Sequence, residues 1–219
     1  MTVSASSAPQ TETTRYDIPA FVIEIEQFIA TGATQPEVAA EVERCLKRLL
    51  LTPDLLSPEQ RVSLPDRYCP NLITVAPSGA FSVVALVWRP GQQTAIHDHI
   101  CWCIVGVLEG LERETRYHLR GNDAGERWLA PAEEEFMAPG VTGILLPPDE
   151  NIHRVCNAGE DVAISLHIYG ADLERVTSYS SINECFDHLP IRDDHSGNAI
   201  PWRAVDDPEC AKPYAARNL

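Results

Sequence analysis

The sequence is short of positive charge. Against 32 acidic residues it carries 17 lysines and arginines, for a formal net charge of −15. So acidic a chain is repelled by nucleic-acid phosphates and by anionic membrane surfaces, and neither is an expected partner. A long apolar run is also missing. The longest, Ile100 to Leu108, is about half of the roughly 20 residues that a spanning helix needs. The opening "MTVSASSAPQTETTRYD" has no basic segment and no apolar core, so no secretory signal is expected and residues 1–16 read as a disordered lead. Nor is there a C-x-x-C pair. Cys101 and Cys103 stand two apart with no partner pair downstream, which excludes a zinc knuckle. Seven cysteines cannot all pair within one chain. Without export they are expected to be reduced thiols in a cytoplasmic protein.

What the sequence does contain is globular in character, with 44% apolar and 22% charged residues among 219. That suits one domain with a proper core. Residues 17–219 read as that domain, with a helical layer over 17–65, a β-barrel over about 66–190 and a tail over 191–219. Within "IPAFVIEIEQFIATGATQPEVAAEVERCLKRLL", Phe21, Ile25 and Phe28 form one stripe at helical spacing. Val38, Val42, Cys45 and Leu49 form a second, and "ATGATQP" breaks the two. A further short helix is predicted at Ser57-Pro58-Glu59. From about Asn71 the texture turns to short β-rich runs: "NLITVAP", "FSVVALVW", "WCIVGVLEG", "LERETRYHL", "EEEFMAPG", "TGILLP", "HRVCN" and "VAISLHIYG". Proline, glycine and asparagine breaks separate them, which predicts a sandwich, jelly roll or small barrel.

His97 and His99 stand at i and i+2 in a strand-like segment, so both imidazoles can face one ion; His153, after "LPPDEN", is the third candidate. Neutral imidazoles suit zinc, copper, nickel and iron alike. Asp98, between two of them, would face away and is read as structural, and Arg154 is read as a salt-bridge residue. In "AISLHIYG", Ser165, His167 and Tyr169 alternate with aliphatics. Two readings are open: a polar face in water, or a hydrogen-bonded relay directed at the metal.

These residues resemble the two cupin motifs. Gly91, His97, His99 and Gly110 match the first, with Cys103 where an acidic ligand is usual. Pro148, His153 and Asn157 match the second, with Glu150 in place of glycine. "H-D-H", "H-R-V-x-N" and "S-x-H-x-Y" in that order resemble the cysteine dioxygenase family of thiol dioxygenases, including its bacterial 3-mercaptopropionate members. The likeness covers roughly residues 64–175. It implies a mainly β fold, a cupin (double-stranded β-helix, jelly-roll) barrel behind an N-terminal helical layer. It also implies mononuclear non-haem Fe(II) on His97, His99 and His153, with a small thiol and O2 as substrates and a sulfinate as product. Tyr169, supported by His167 and Ser165, would orient the substrate. Cys103 stands where animal members form a thioether with the relay tyrosine, so a Cys103–Tyr169 crosslink is implied. Members of this type are frequently monomeric, and a monomer is expected over a homodimer.

Two departures from the family matter. Pro70 in "YCPNL" occupies the place of an arginine that clamps a substrate carboxylate, and Asn183 and Glu184 stand where a basic pair is expected. Arg175 is the remaining candidate for substrate binding. The substrate is therefore expected to differ from cysteine and 3-mercaptopropionate. The alternatives are a cupin dioxygenase or isomerase acting on a non-thiol molecule, and a non-catalytic metal-binding cupin.

Overall fold

A computed structural model of the chain describes residues 15–148, 151–175 and 184–192. Apart from two residues each, the expected lead 1–16 and tail 191–219 lie outside that range, as does Asn183.

Two helices come first, α1 (Ile18–Ile29) and α2 (Gln35–Leu49). The Asp17 carboxylate accepts from the Ala20 amide at 3.0 Å, and the Glu37 carboxylate reaches back to the Thr34 amide at 2.8 Å. Each satisfies a donor that helix geometry leaves without a partner. The apolar stripes fall inward as expected: Phe21, Ile25, Val38, Val42, Cys45 and Leu49 are buried. The third predicted helix is a single 3-10 turn, Pro58–Arg61.

Eight strands follow, one for each β-rich run: β1 (Cys69–Val75), β2 (Ser82–Trp88), β3 (Cys103–Glu109), β4 (Glu112–Gly121), β5 (Arg127–Met137), β6 (Thr142–Leu145), β7 (Ile152–Asn157) and β8 (Ala163–Tyr169). They form a five-stranded sheet, β1-β2-β8-β3-β6, and a three-stranded sheet, β5-β4-β7, with every pairing antiparallel. The last strand lies between β2 and β3, so the chain returns to the centre of the first sheet. The fold is mainly β, a cupin-type double-stranded β-helix behind a helical layer.

β2 and β8 are buried along their whole lengths because their sheet is covered on both faces. On the outer face Val83, Ala85, Val87, Ile164, Leu166 and Ile168 pack with Phe21, Leu46 and Leu49 of the helices. Each large apolar side chain buried there contributes about 1.5–3 kcal/mol before entropic costs. The helical layer thus holds the backbone of β8 from behind. Closeness matters at Gly106 in β3, where a Cβ would lie 2.8 Å from Leu50 and 2.9 Å from Leu46. At Gly110, the last glycine of the first motif, φ is +79° and a Cβ would stand 2.6 Å from the Ala163 backbone. Only glycine turns the chain from β3 to β4 there without strain.

The inner face is lined by Val84, Leu86, Trp88, Cys103, Val105, Leu145, Val155 and Tyr169. Ser165 and His167, alternating with the helix-facing aliphatics, are buried as well. The solvent-face reading of this strand is therefore excluded.

Candidate metal centre

The segment carrying His97 and His99 is not the continuous strand the sequence suggests. Isolated bridges tie it to β7, Gln93 opposite Cys156 and His97 opposite His153. The His97 amide donates to the His153 carbonyl at 2.9 Å and the His153 amide to the His97 carbonyl at 2.8 Å. Two candidate ligands thus share one rung. His99 is fixed separately: its amide donates to the Asn151 side-chain oxygen, and the Asn151 amide group returns to the His99 carbonyl, both at 2.8 Å. Asp98 turns the other way. It binds the Glu184 backbone through its own amide and its carboxylate, as a structural residue would.

The three imidazoles converge. Their ring nitrogens lie within 4.8 Å of one another, all three residues are buried, and His99 Nε2 and His153 Nε2 are 3.0 Å apart. The tautomers follow from the outer partners. His97 Nδ1 donates to the Ala95 carbonyl at 3.0 Å, and His153 Nδ1 to the Glu114 carboxylate at 2.7 Å. Each ring therefore offers the Nε2 lone pair inward, the form that a metal requires. Burial pushes the basicity of all three rings down, and for His99 and His153 the neighbouring imidazoles add to it. Three buried imidazoles, two of them with the Nε2 lone pair turned inward, and no carboxylate among them form a donor set that fits a divalent transition metal.

Behind His153, Glu114 also pairs with Arg116 at 3.3 Å. Burial nonetheless raises the Glu114 carboxyl above the usual carboxylate range, outweighing the guanidinium. On the opposite wall, the Tyr169 ring centroid is 5.6 Å from that of His99 and 6.0 Å from that of His167. His167 Nε2 is 3.0 Å from Ser165 Oγ, which accepts from the Trp88 indole at 3.3 Å. His167 is held neutral, its pKa pushed down to about 3 by burial and by the nearby imidazoles. Cys103 lies directly opposite Tyr169 in the β3–β8 register. Burial keeps its thiol protonated, well above the ordinary thiol range.

Arg175 and one cysteine depart from the simplest reading of the sequence. The Arg175 side chain is 88% exposed and pairs with Asp172 at 3.1 Å, so its guanidinium points to solvent. Its place just past β8, in a surface turn, is the reason. Cys156 is disulfide-bonded, contrary to the expectation of reduced thiols, whereas Cys45, Cys69, Cys101, Cys103 and Cys185 are free as expected. Cysteine spacing carried no sign of which side chains meet in space. Arg154 pairs with Asp187 at 3.2 Å, the structural role assigned to it. Among the described residues, no helix is long and apolar enough to cross a membrane.

Glu114, Asn151, Trp88 and Glu112 were not singled out from the sequence. The signal for the two glutamates was their i, i+2 spacing in "LERETRYHL", which puts both on one face of a strand. Alternation with Arg113 and Thr115 made either face look solvated.

The chain is 25% identical over 122 residues to cysteine dioxygenase type 1 of Danio rerio, across 52% of this chain and 56% of that protein's length. It thus spans little more than half of that relative. Among solved structures it is similar to a Klebsiella pneumoniae protein with a double-stranded β-helix domain (TM-score 0.39, 20% identity, 53% of this chain and 89% of that one). It is also similar to an oxalate oxidase in complex with glycolate (TM-score 0.39, 17% identity, 54% and 60%). The family model for cysteine dioxygenase type I matches residues 62–182, more than half of the chain, and the protein belongs to that family.

Proposed function

We propose that the protein is a mononuclear, non-haem Fe(II)-dependent thiol dioxygenase that places both atoms of O2 on the sulfur of a small thiol, giving a sulfinate. The observation that carries this reading is the convergence of His97, His99 and His153 without a carboxylate ligand, in a member of this family. Three neutral ligands leave a divalent ion its full charge, which favours an anionic substrate atom such as a thiolate. A ferrous ion there supplies Lewis acidity toward the thiolate and the redox chemistry through which dioxygen reacts. The chain's own residues do the rest. Glu114 orients His153, and the apolar lining of Val84, Leu86, Val105 and Val155 limits water around the sulfur. Tyr169 orients the substrate, with His167 and Ser165 setting the polarity of that wall.

The far end of the thiol is neutral or cationic in this reading. Pro70 replaces one clamp arginine, Arg175 points to solvent, and Arg116 and Arg154 pair with Glu114 and Asp187. Oxygen uptake and sulfinate formation across L-cysteine, 3-mercaptopropionate, an aminothiol and an uncharged thiol test both parts. An aminothiol or uncharged thiol is expected to have the highest kcat/KM. A clear preference for L-cysteine would sink the substrate assignment, and iron-loaded protein inert to every thiol would sink the activity.

A Cys103–Tyr169 thioether is part of the same proposal, supported by their cross-strand register. The bond joins Sγ to a ring carbon, and the thiol and ring hydrogens leave with two electrons taken up by O2. After turnover the intact mass of the protein is expected to fall by two hydrogens, and that of Cys103→Ala to stay unchanged. An unchanged wild-type mass refutes the crosslink.

A further inference from the structure

Glu112 opens β4 on the same face as Glu114 and is completely buried. Neither of its carboxylate oxygens has a hydrogen-bond partner at ordinary distance. The polar groups that act on it are the Ser165 hydroxyl and the Trp88 indole, reached across the barrel from the three-stranded sheet. The other nitrogen of the relay imidazole, His167 Nδ1, is likewise buried without a partner. A buried acid in that condition weighs against the stability of the fold. Such local violations cluster where function uses them.

We propose that Glu112 is a positioning residue of the relay, whose protonation state decides which nitrogen of His167 carries the proton. Ser165 Oγ has one hydrogen to give and two lone pairs, and the Trp88 indole occupies one of these. When Glu112 is a neutral acid, its O–H turns toward the second lone pair and, once the gap between the two side chains closes, donates to it. The Ser165 hydrogen then goes to His167 Nε2, and the imidazole proton sits on Nδ1. When Glu112 is ionised, the Ser165 hydrogen turns to the carboxylate. His167 then donates from Nε2, and Nδ1 presents a lone pair. The balance is one proton lost to solvent, from Glu112; His167 stays neutral throughout, its single proton leaving Nδ1 as one arrives at Nε2.

The surroundings put this change near neutral pH. Burial raises Glu112 to about 8, against the opposing effect of Ser165, with the Glu114 charge adding to the rise and Trp88 opposing it less. From its own strand Glu112 faces Glu114, whose charge is shared with Arg116 and with His153 of β7. From β8 it faces Ser165, with His167 next in line. From β2 it faces Trp88, and Asn157 is its register partner on β7. Below the midpoint the relay offers an N–H at its free end, and above it an acceptor.

This inference rests on the thiol dioxygenase reading only in giving the relay a reaction to serve, so its test does not depend on turnover. The full chain, loaded with zinc in place of paramagnetic iron and carrying isotope-labelled histidine, is titrated from neutral to alkaline pH by ring-nitrogen NMR. A His167→Gln variant identifies the His167 signals. The wild type is expected to pass from the Nδ1–H to the Nε2–H tautomer at a pH above the usual carboxylate range, and Glu112→Gln to show no such transition. A wild-type His167 that keeps one tautomer throughout, or a transition that persists in Glu112→Gln, overturns the proposal. Oxygen uptake by the iron enzyme then reports separately: Glu112→Gln is expected to lose that ionisation from its pH profile. If no thiol is oxidised but the tautomer transition is present, the activity fails and the switch stands.

Discussion

His153→Ala is expected to abolish metal retention and oxygen uptake together. His153 is the hinge between the two halves of the centre. Its backbone pairs with His97, its Nε2 faces His99 Nε2 at 3.0 Å, and its Nδ1 holds Glu114. Removing the ring deletes one of three donors and leaves a buried carboxylate with Arg116 as its remaining charge partner. Loss of an outer partner costs roughly 10–100-fold in metal affinity, and loss of a ligand costs more. The metal content of dialysed protein and oxygen-electrode rates on the preferred thiol measure the two effects. A His153→Ala protein that retained one iron per chain would remove His153 from the ligand set. Thermal unfolding of the metal-free proteins separates this loss from a folding defect, because His153→Ala leaves the His97 backbone rung intact.

Glu114→Gln is expected to weaken iron binding roughly 10–100-fold while the fold is kept. The carboxylate accepts the His153 Nδ1 proton at 2.7 Å and so fixes the ring's tautomer and raises the donor strength of Nε2. Glutamine keeps the shape and one acceptor oxygen but gives up the negative charge that strengthens that bond. Arg116 loses its ion pair and retains its contact with the Ile144 carbonyl at 3.4 Å. Competition with a chelator gives the affinity, and oxygen uptake at saturating iron shows whether the assembled centre still works. Unchanged iron affinity would reduce Glu114 to a structural partner of Arg116.

Much of this centre was legible in the chain because periodicity encodes faces. The alternation of Ser165, His167 and Tyr169 with Ile164, Leu166 and Ile168 already separated two sides of a strand. It could not say which side was wet, since that depends on the helices behind and the second sheet in front. The H-x-H spacing and a distant histidine predicted one cluster, which the structure brings together. The continuous strand beneath His97 was misread because isolated bridges to β7 and to residue 185 hold that segment in place of a regular ladder. Bridges between residues so far apart leave no local pattern.

Beyond the missing carboxylate ligand that its resemblance to the cupin motifs implies, the sequence by itself determined the helical layer, the eight strands and the H-x-H pair with its distant third histidine. Each of these is written in spacing along the chain, at 3.6 residues for a helix and 2 for a strand. The tertiary structure alone decided that Arg175 points to solvent, that Glu114 stands behind His153, and that Glu112 is buried. The physical reason is the closing of the barrel. β4 and β8 belong to different sheets and become neighbours only when the two sheets face each other. The proton carriers on them meet in that interior, across a separation of some fifty residues that no local spacing records.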